Sequence, residues 1–71
     1  MPKLPSLTPT EIMKILLKNG FLIDRIKGSH HILINHDTKT RVVIPMHKKD
    51  LPKGTLYEII KQSGVKIEEF L

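Results

Sequence analysis

Seventy-one residues with a net charge of +5, from 12 Lys and Arg against 7 Asp and Glu, make one domain near the lower limit for independent folding. The absence of cysteine excludes disulfides and thiolate metal sites. No apolar run approaches the roughly 18 residues of a membrane span, and the amino terminus lacks a signal-peptide core, so a soluble cytoplasmic protein is the expectation.

Met1 to Leu7, with two prolines and a lysine, reads as a short extended arm. Thr8-Pro9-Thr10-Glu11 then carries the signs of a helix start: Thr8 as N-cap, Pro9 at the first helical position and Glu11 completing a capping box. Leu7 and Ile12 stand at the two positions of a hydrophobic staple. Ile12, Ile15, Leu16 and Asn19 repeat at helical spacing, Met13 and Leu17 widen the apolar face, and Lys14 and Lys18 lie on the outer side. Asn19-Gly20 closes the element.

Phe21 to Lys27 reads as a strand with imperfect alternation. Gly28-Ser29 makes a tight turn into a second strand, His30 to Asn35. Turn-forming residues 35–39 lead to a third strand, Thr40 to Ile44, rich in β-branched side chains and stopped by Pro45. Met46 to Gly54 is a basic, proline-broken loop. From about Lys53 or Thr55, Leu56, Ile59, Ile60 and Ser63 mark one face of a second helix ended by Gly64, with Glu58, Lys61 and Gln62 on its wet side. Glu68-Glu69-Phe70-Leu71 suggests a final helical turn that buries Phe70.

The expected architecture is a single α+β domain over residues 1–71: helix, three-stranded antiparallel meander, helix, short carboxy-terminal turn. Two amphipathic helices and one half-buried sheet are satisfied when both helices cover the same sheet face, leaving the other open. The positive balance attracts polyanions. With only three aromatics (Phe21, Tyr57 and Phe70), binding through phosphates fits better than stacking on bases.

The run Gly20-Phe21, then Lys27-Gly28-Ser29-His30, then Pro45-x-His47, then Gly54-Thr55-Leu56-x-x-Ile59 resembles the HicA family of toxin ribonucleases. Each motif alone is weak; four in the right order, over almost the whole chain, are specific. The resemblance implies a fold like that of double-stranded RNA-binding domains. It also implies endoribonuclease cleavage of messenger RNA, growth arrest when the protein is free, and neutralisation by a HicB-type antitoxin. The family's catalytic histidine follows the glycine turn and maps to His30, while the doubled His30-His31 is a departure that leaves His31 as the reserve candidate.

The chemistry suits such a site. RNA carries its own nucleophile, the 2′-hydroxyl, and histidine, with an unperturbed pKa of about 6.5, both takes and gives a proton near neutrality. General acid–base transfer by one imidazole supplies on the order of 10²–10⁴ in rate. The residues read as contacting RNA are Lys27, Gly28 and Ser29 at the turn, and His47, Lys48, Lys49 and Lys53 ahead of the second helix, where amide N–H groups and helix dipole favour phosphate. The alternatives are structural: His30 as a strand cap, Gly28-Ser29 as an ordinary turn, the lysines as a solvated loop, and the whole as a non-catalytic RNA-binding module. No metal or cofactor is expected, because Asp24, Asp37 and Asp50 are scattered and no histidines stand at i, i+4 spacing. Adjacent strand residues face opposite ways, so His30 and His31 cannot share one task, and the pattern does not decide which face the helices cover.

Overall fold

The computed structural model describes residues 4–46 and 49–71; His47 and Lys48, both assigned above to RNA contact, lie outside the described residues. The order is α1 (Pro9–Lys18), β1 (Leu22–Lys27), β2 (His30–Asn35), β3 (Thr40–Pro45), α2 (Lys53–Ser63) and a 3-10 turn (Ile67–Phe70). The α+β architecture is the one expected, with a three-stranded antiparallel sheet in the order β1-β2-β3. No helix of the described residues is long and apolar enough to cross a membrane.

Helix α1 begins where its capping chemistry requires. The Glu11 N–H donates to Thr8 Oγ1 (3.2 Å) and the Thr8 N–H donates to Glu11 Oε1 (2.9 Å), so two amides are satisfied reciprocally. These bonds hold the Glu11 carboxyl below the ordinary glutamate pKa: first the hydrogen bond from the Thr8 backbone, then that from its hydroxyl, with Lys14 adding a smaller contribution. Helix α2 starts without a side-chain cap, at Pro52, and ends where Ser63 Oγ donates to the Ile60 carbonyl and accepts from the Val65 N–H.

The core lies on one sheet face. Leu33 of β2 and Val42 and Ile44 of β3 meet Ile12 and Leu16 of α1, Leu56, Ile59 and Ile60 of α2, and Phe70 of the final turn. Both helices pack on β3. The strand side chains alternate accordingly: His31, Leu33 and Asn35 face the helices, whereas His30, Ile32 and Ile34 face the other way.

The first strand begins one residue later than the sequence reading has it. Phe21 is not a strand residue. It is buried in the core just ahead of β1, with its N–H donating to the Leu16 carbonyl (3.1 Å), so the chain turns at Gly20 to plug an aromatic ring beneath the sheet. The amino-terminal arm has no regular secondary structure over residues 4–7, and Leu4 and Leu7 are buried in the core. The Leu7 carbonyl accepts from the Leu51 N–H (3.0 Å), and the Leu4 carbonyl accepts from Lys53 Nζ (2.6 Å). A domain this small gains apolar burial by strapping its first turn of chain over the entrance to α2.

Candidate active site at the first hairpin

The β1–β2 hairpin closes with Lys27 opposite His30 and only Gly28-Ser29 between them. Gly28 has φ of 59° and Ser29 is not left-handed, the pattern of a type II′ turn, whose twist suits a two-residue hairpin. A Cβ at Gly28 meets nothing within 4 Å, so the glycine is required for its backbone conformation and not for space. The Ser29 carbonyl accepts from the Met46 N–H, which ties the end of β3 to the turn. The turn is therefore held from both sides of β2, and the residues that follow it inherit that rigidity.

The structure separates the two histidines. His30 is exposed on the helix-free face, opposite Lys27 on β1 and Pro45 on β3. His31 faces the helices, opposite Ile26 on β1 and Ile44 on β3. Ile44 is fully buried, but Ile26 is 60 % exposed, so His31 stands where the helical layer stops. It is half-buried, and its Nδ1 is buried without any hydrogen-bond partner. A buried ring nitrogen left unpaired is uncommon in folded proteins and calls for a reason. With Nδ1 turned inward, Nε2 is the ring nitrogen left to meet a ligand.

Around the pair, the basic side chains fall on different elements. Lys27 flanks the turn beside His30, and Arg25 and Arg41 lie on the same helix-free face, opposite Ile32 and Ile34 respectively. Arg25 also pairs with its neighbour Asp24 (3.4 Å), an exposed contact worth little to stability. Lys49 is exposed on the loop before α2. Lys53, read from sequence as a phosphate ligand, directs one of its three ammonium donors to the Leu4 carbonyl, its one hydrogen-bond partner among the described residues. The first amides of α2 have no side-chain cap, so that helix end keeps its attraction for anions. His36 is exposed in the β2–β3 turn, away from the hairpin. Among the described residues no enclosed pocket exists, and no three His, Asp or Glu side chains converge.

Sequence reasoning missed the different environments of the two histidines and the wholesale exposure of β1. The first was not accessible, because both alternating sets on β2 are apolar. The second had a signal: Ile23 and Ile26 stand three apart, a spacing that keeps both on one face only if the strand is bulged. The register does shift between Ile23 and Arg25.

A family model described as the HicA toxin of bacterial toxin-antitoxin systems matches residues 9–65, from the start of α1 to just past α2. None of the curated proteins compared with the chain matches it.

Proposed function

The chain belongs to the HicA toxin family, and from that premise we propose that it is a metal-independent endoribonuclease that cleaves messenger RNA, with an imidazole of the His30-His31 pair as general acid and base. A HicA toxin acts within a toxin–antitoxin system and so has an antitoxin partner; in our reading that partner is of the HicB type. The observation that carries the catalytic reading is the setting of His31. It is a half-buried ring at the margin of the helical layer, beside a turn locked by glycine, with one nitrogen enclosed and unpaired and the other left to meet substrate.

In the reaction we envisage, the imidazole removes the proton of the ribose 2′-hydroxyl. The 2′-oxygen bonds to phosphorus, the bond from phosphorus to the 5′-oxygen breaks, and a proton is delivered to that 5′-oxygen. The products are a 2′,3′-cyclic phosphate and a 5′-hydroxyl. Lys27 and the Gly28 and Ser29 amides stand nearest the histidines, where they would meet the developing charge on the phosphoryl oxygens. Lys49 and Lys53, with the uncapped amides of α2, would hold the backbone further along the strand. His47 and Lys48 belong to the same proposal on sequence grounds.

His30 was the first candidate from sequence. Its exposure beside Lys27 suits contact with phosphate, whereas acid–base work needs a ring held in one orientation, which the margin of the core gives His31. Single alanine variants separate the roles. His31→Ala is expected to lower RNA cleavage by 10² or more while RNA affinity changes only a few-fold. His30→Ala is expected to weaken binding more than it slows cleavage. The reverse result moves the chemistry to His30. Cleavage that survives in both variants removes the histidines from the chemistry, and a wild-type chain that binds RNA without cutting it replaces the enzyme by a binding module. Cleavage that vanishes with EDTA and returns with a divalent ion ends the metal-independent reading.

A further inference from the structure

All six residues of β1 are exposed, an unusual state for a strand that carries three large apolar side chains. Leu22 is 58 % exposed, Ile23 43 % and Ile26 60 %. The helices sit over β3 and the adjoining side of β2, so neither covers β1. Its outer edge has no strand partner among the described residues. β1 therefore offers a row of unpaired backbone N–H and C=O groups, with apolar side chains on both of its faces. Ile23 and Ile26 share the face of His31, and Leu22 shares the face of Ile34. Such an edge is ordinarily blunted or covered. Among the described residues the blunting here is the bulge at Asp24 and the charges of Asp24, Arg25 and Lys27.

We propose that β1 is the docking edge for the antitoxin, which adds a strand to the sheet along Leu22–Lys27 and covers Ile23 and Ile26. The inference rests on membership of a toxin–antitoxin family and not on the nuclease reading. Strand addition supplies what the edge lacks, main-chain hydrogen bonds together with apolar pockets for alternate side chains. RNA offers neither, so a nucleic acid would leave the isoleucines wet. A second copy of this chain is disfavoured by charge, because each copy carries +5. Antiparallel pairing of two β1 strands about their centre would also set bulge against bulge. A partner with acidic groups flanking its added strand would instead meet Arg25 and Lys27, and electrostatic attraction would speed its capture.

The position also explains neutralisation. β1 ends at Lys27, directly opposite His30, and Ile26 lies opposite His31. A strand laid along this edge lies one strand away from the histidines, so partner side chains reaching over Ile26 would cover the face of His31 and inhibit by occlusion with no change in the toxin's fold.

The test is amide hydrogen exchange on the free chain and on the complex purified after co-expression with the antitoxin of the same locus. Exchange across Leu22–Lys27 is expected to slow by tenfold or more in the complex, with far smaller changes on α2. A paired Leu22→Lys, Ile23→Lys variant, which alters only exposed side chains remote from the turn, is expected to weaken antitoxin binding at least tenfold and leave RNA cleavage within two-fold. Unchanged exchange on β1, or full antitoxin affinity in the variant, overturns the proposal. So does protection of β1 in the free chain together with a dimeric mass, which assigns the edge to a second copy, or protection by an RNA oligonucleotide in place of the antitoxin. Binding and exchange are read without RNA, so a wild-type chain that cleaves nothing refutes the nuclease reading and leaves this one standing.

Discussion

Gly20 shows how one residue can be required twice. Its φ of 93° lies where side-chain-bearing residues are strained, and a Cβ there would come within 3.2 Å of Asn35 Nδ2. Asn35 cannot readily retreat, since it is buried and its Oδ1 accepts from the N–H groups of Asp37 and Thr38 (3.0 and 3.3 Å). Gly20→Ala is therefore expected to destabilise the domain by roughly 1–3 kcal/mol, whereas Gly28→Ala, strained in backbone but free of contacts, costs only the conformational share of about 1 kcal/mol. Chemical denaturation of the two variants side by side checks the order. Glu11 makes a different prediction at the same scale. Its folded-state pKa is lowered by the capping box, so its contribution is whole above the ordinary glutamate pKa and is lost as pH falls through the lowered folded value. Glu11→Gln should flatten that part of the acid limb of a stability–pH curve; a variant as acid-sensitive as wild type would show that the box adds nothing.

Elements differ in how strongly the core holds them, and the sheet is the clearest case. β3 packs on one face against both helices, β2 buries Leu33 on the helical side and Ile32 on the other, and β1 buries no side chain. Leu33→Ala, at the fully buried centre of β2, is expected to cost about 2–5 kcal/mol, a large share of what a 71-residue core supplies, while Ile23→Ala one strand away should cost under about 1 kcal/mol. Thermal unfolding of the pair tests whether β1 really lies outside the core. This gradient also marks the limit of the sequence. Helix α1 was legible to the residue, because Thr8, Pro9 and Glu11 act through bonds three positions apart and no distant group is needed to interpret them. The β2 and β3 strands and the span of α2 were legible from side-chain type and period. β1 was legible as a strand, but its exposure was signalled only by the spacing of Ile23 and Ile26, because which strand the helices leave uncovered depends on packing between distant elements. The choice between His30 and His31 was not legible, because Ile32 and Leu33 are equally apolar and only the packing of distant helices decides which faces inward.

At the scale of the whole molecule, charge and shape have to be considered together. The described surface has no pocket, so on the proposed function an RNA chain would be held by its phosphates on an open face and not by enclosure of a base. The net charge of +5 supplies the attraction, but only lysines that touch phosphate release counterions, and their number is readable. If Lys27, Lys48, Lys49 and Lys53 all engage a single strand, the logarithm of the association constant should fall against the logarithm of salt with a slope of about −3. The measurement is best made on His31→Ala, so that the RNA stays intact. Lys49→Ala should then reduce the slope by about 0.7 and weaken binding to the same degree for every RNA sequence, as a phosphate contact does. Arg41→Ala, on the helix-free face and remote from the turn, should leave the slope unchanged if RNA runs from the hairpin to the start of α2. If Arg41 changes the slope and Lys49 does not, the nucleic acid lies across the open sheet instead, and the phosphate track moves from the head of α2 to the face shared by Arg25, Lys27 and Arg41.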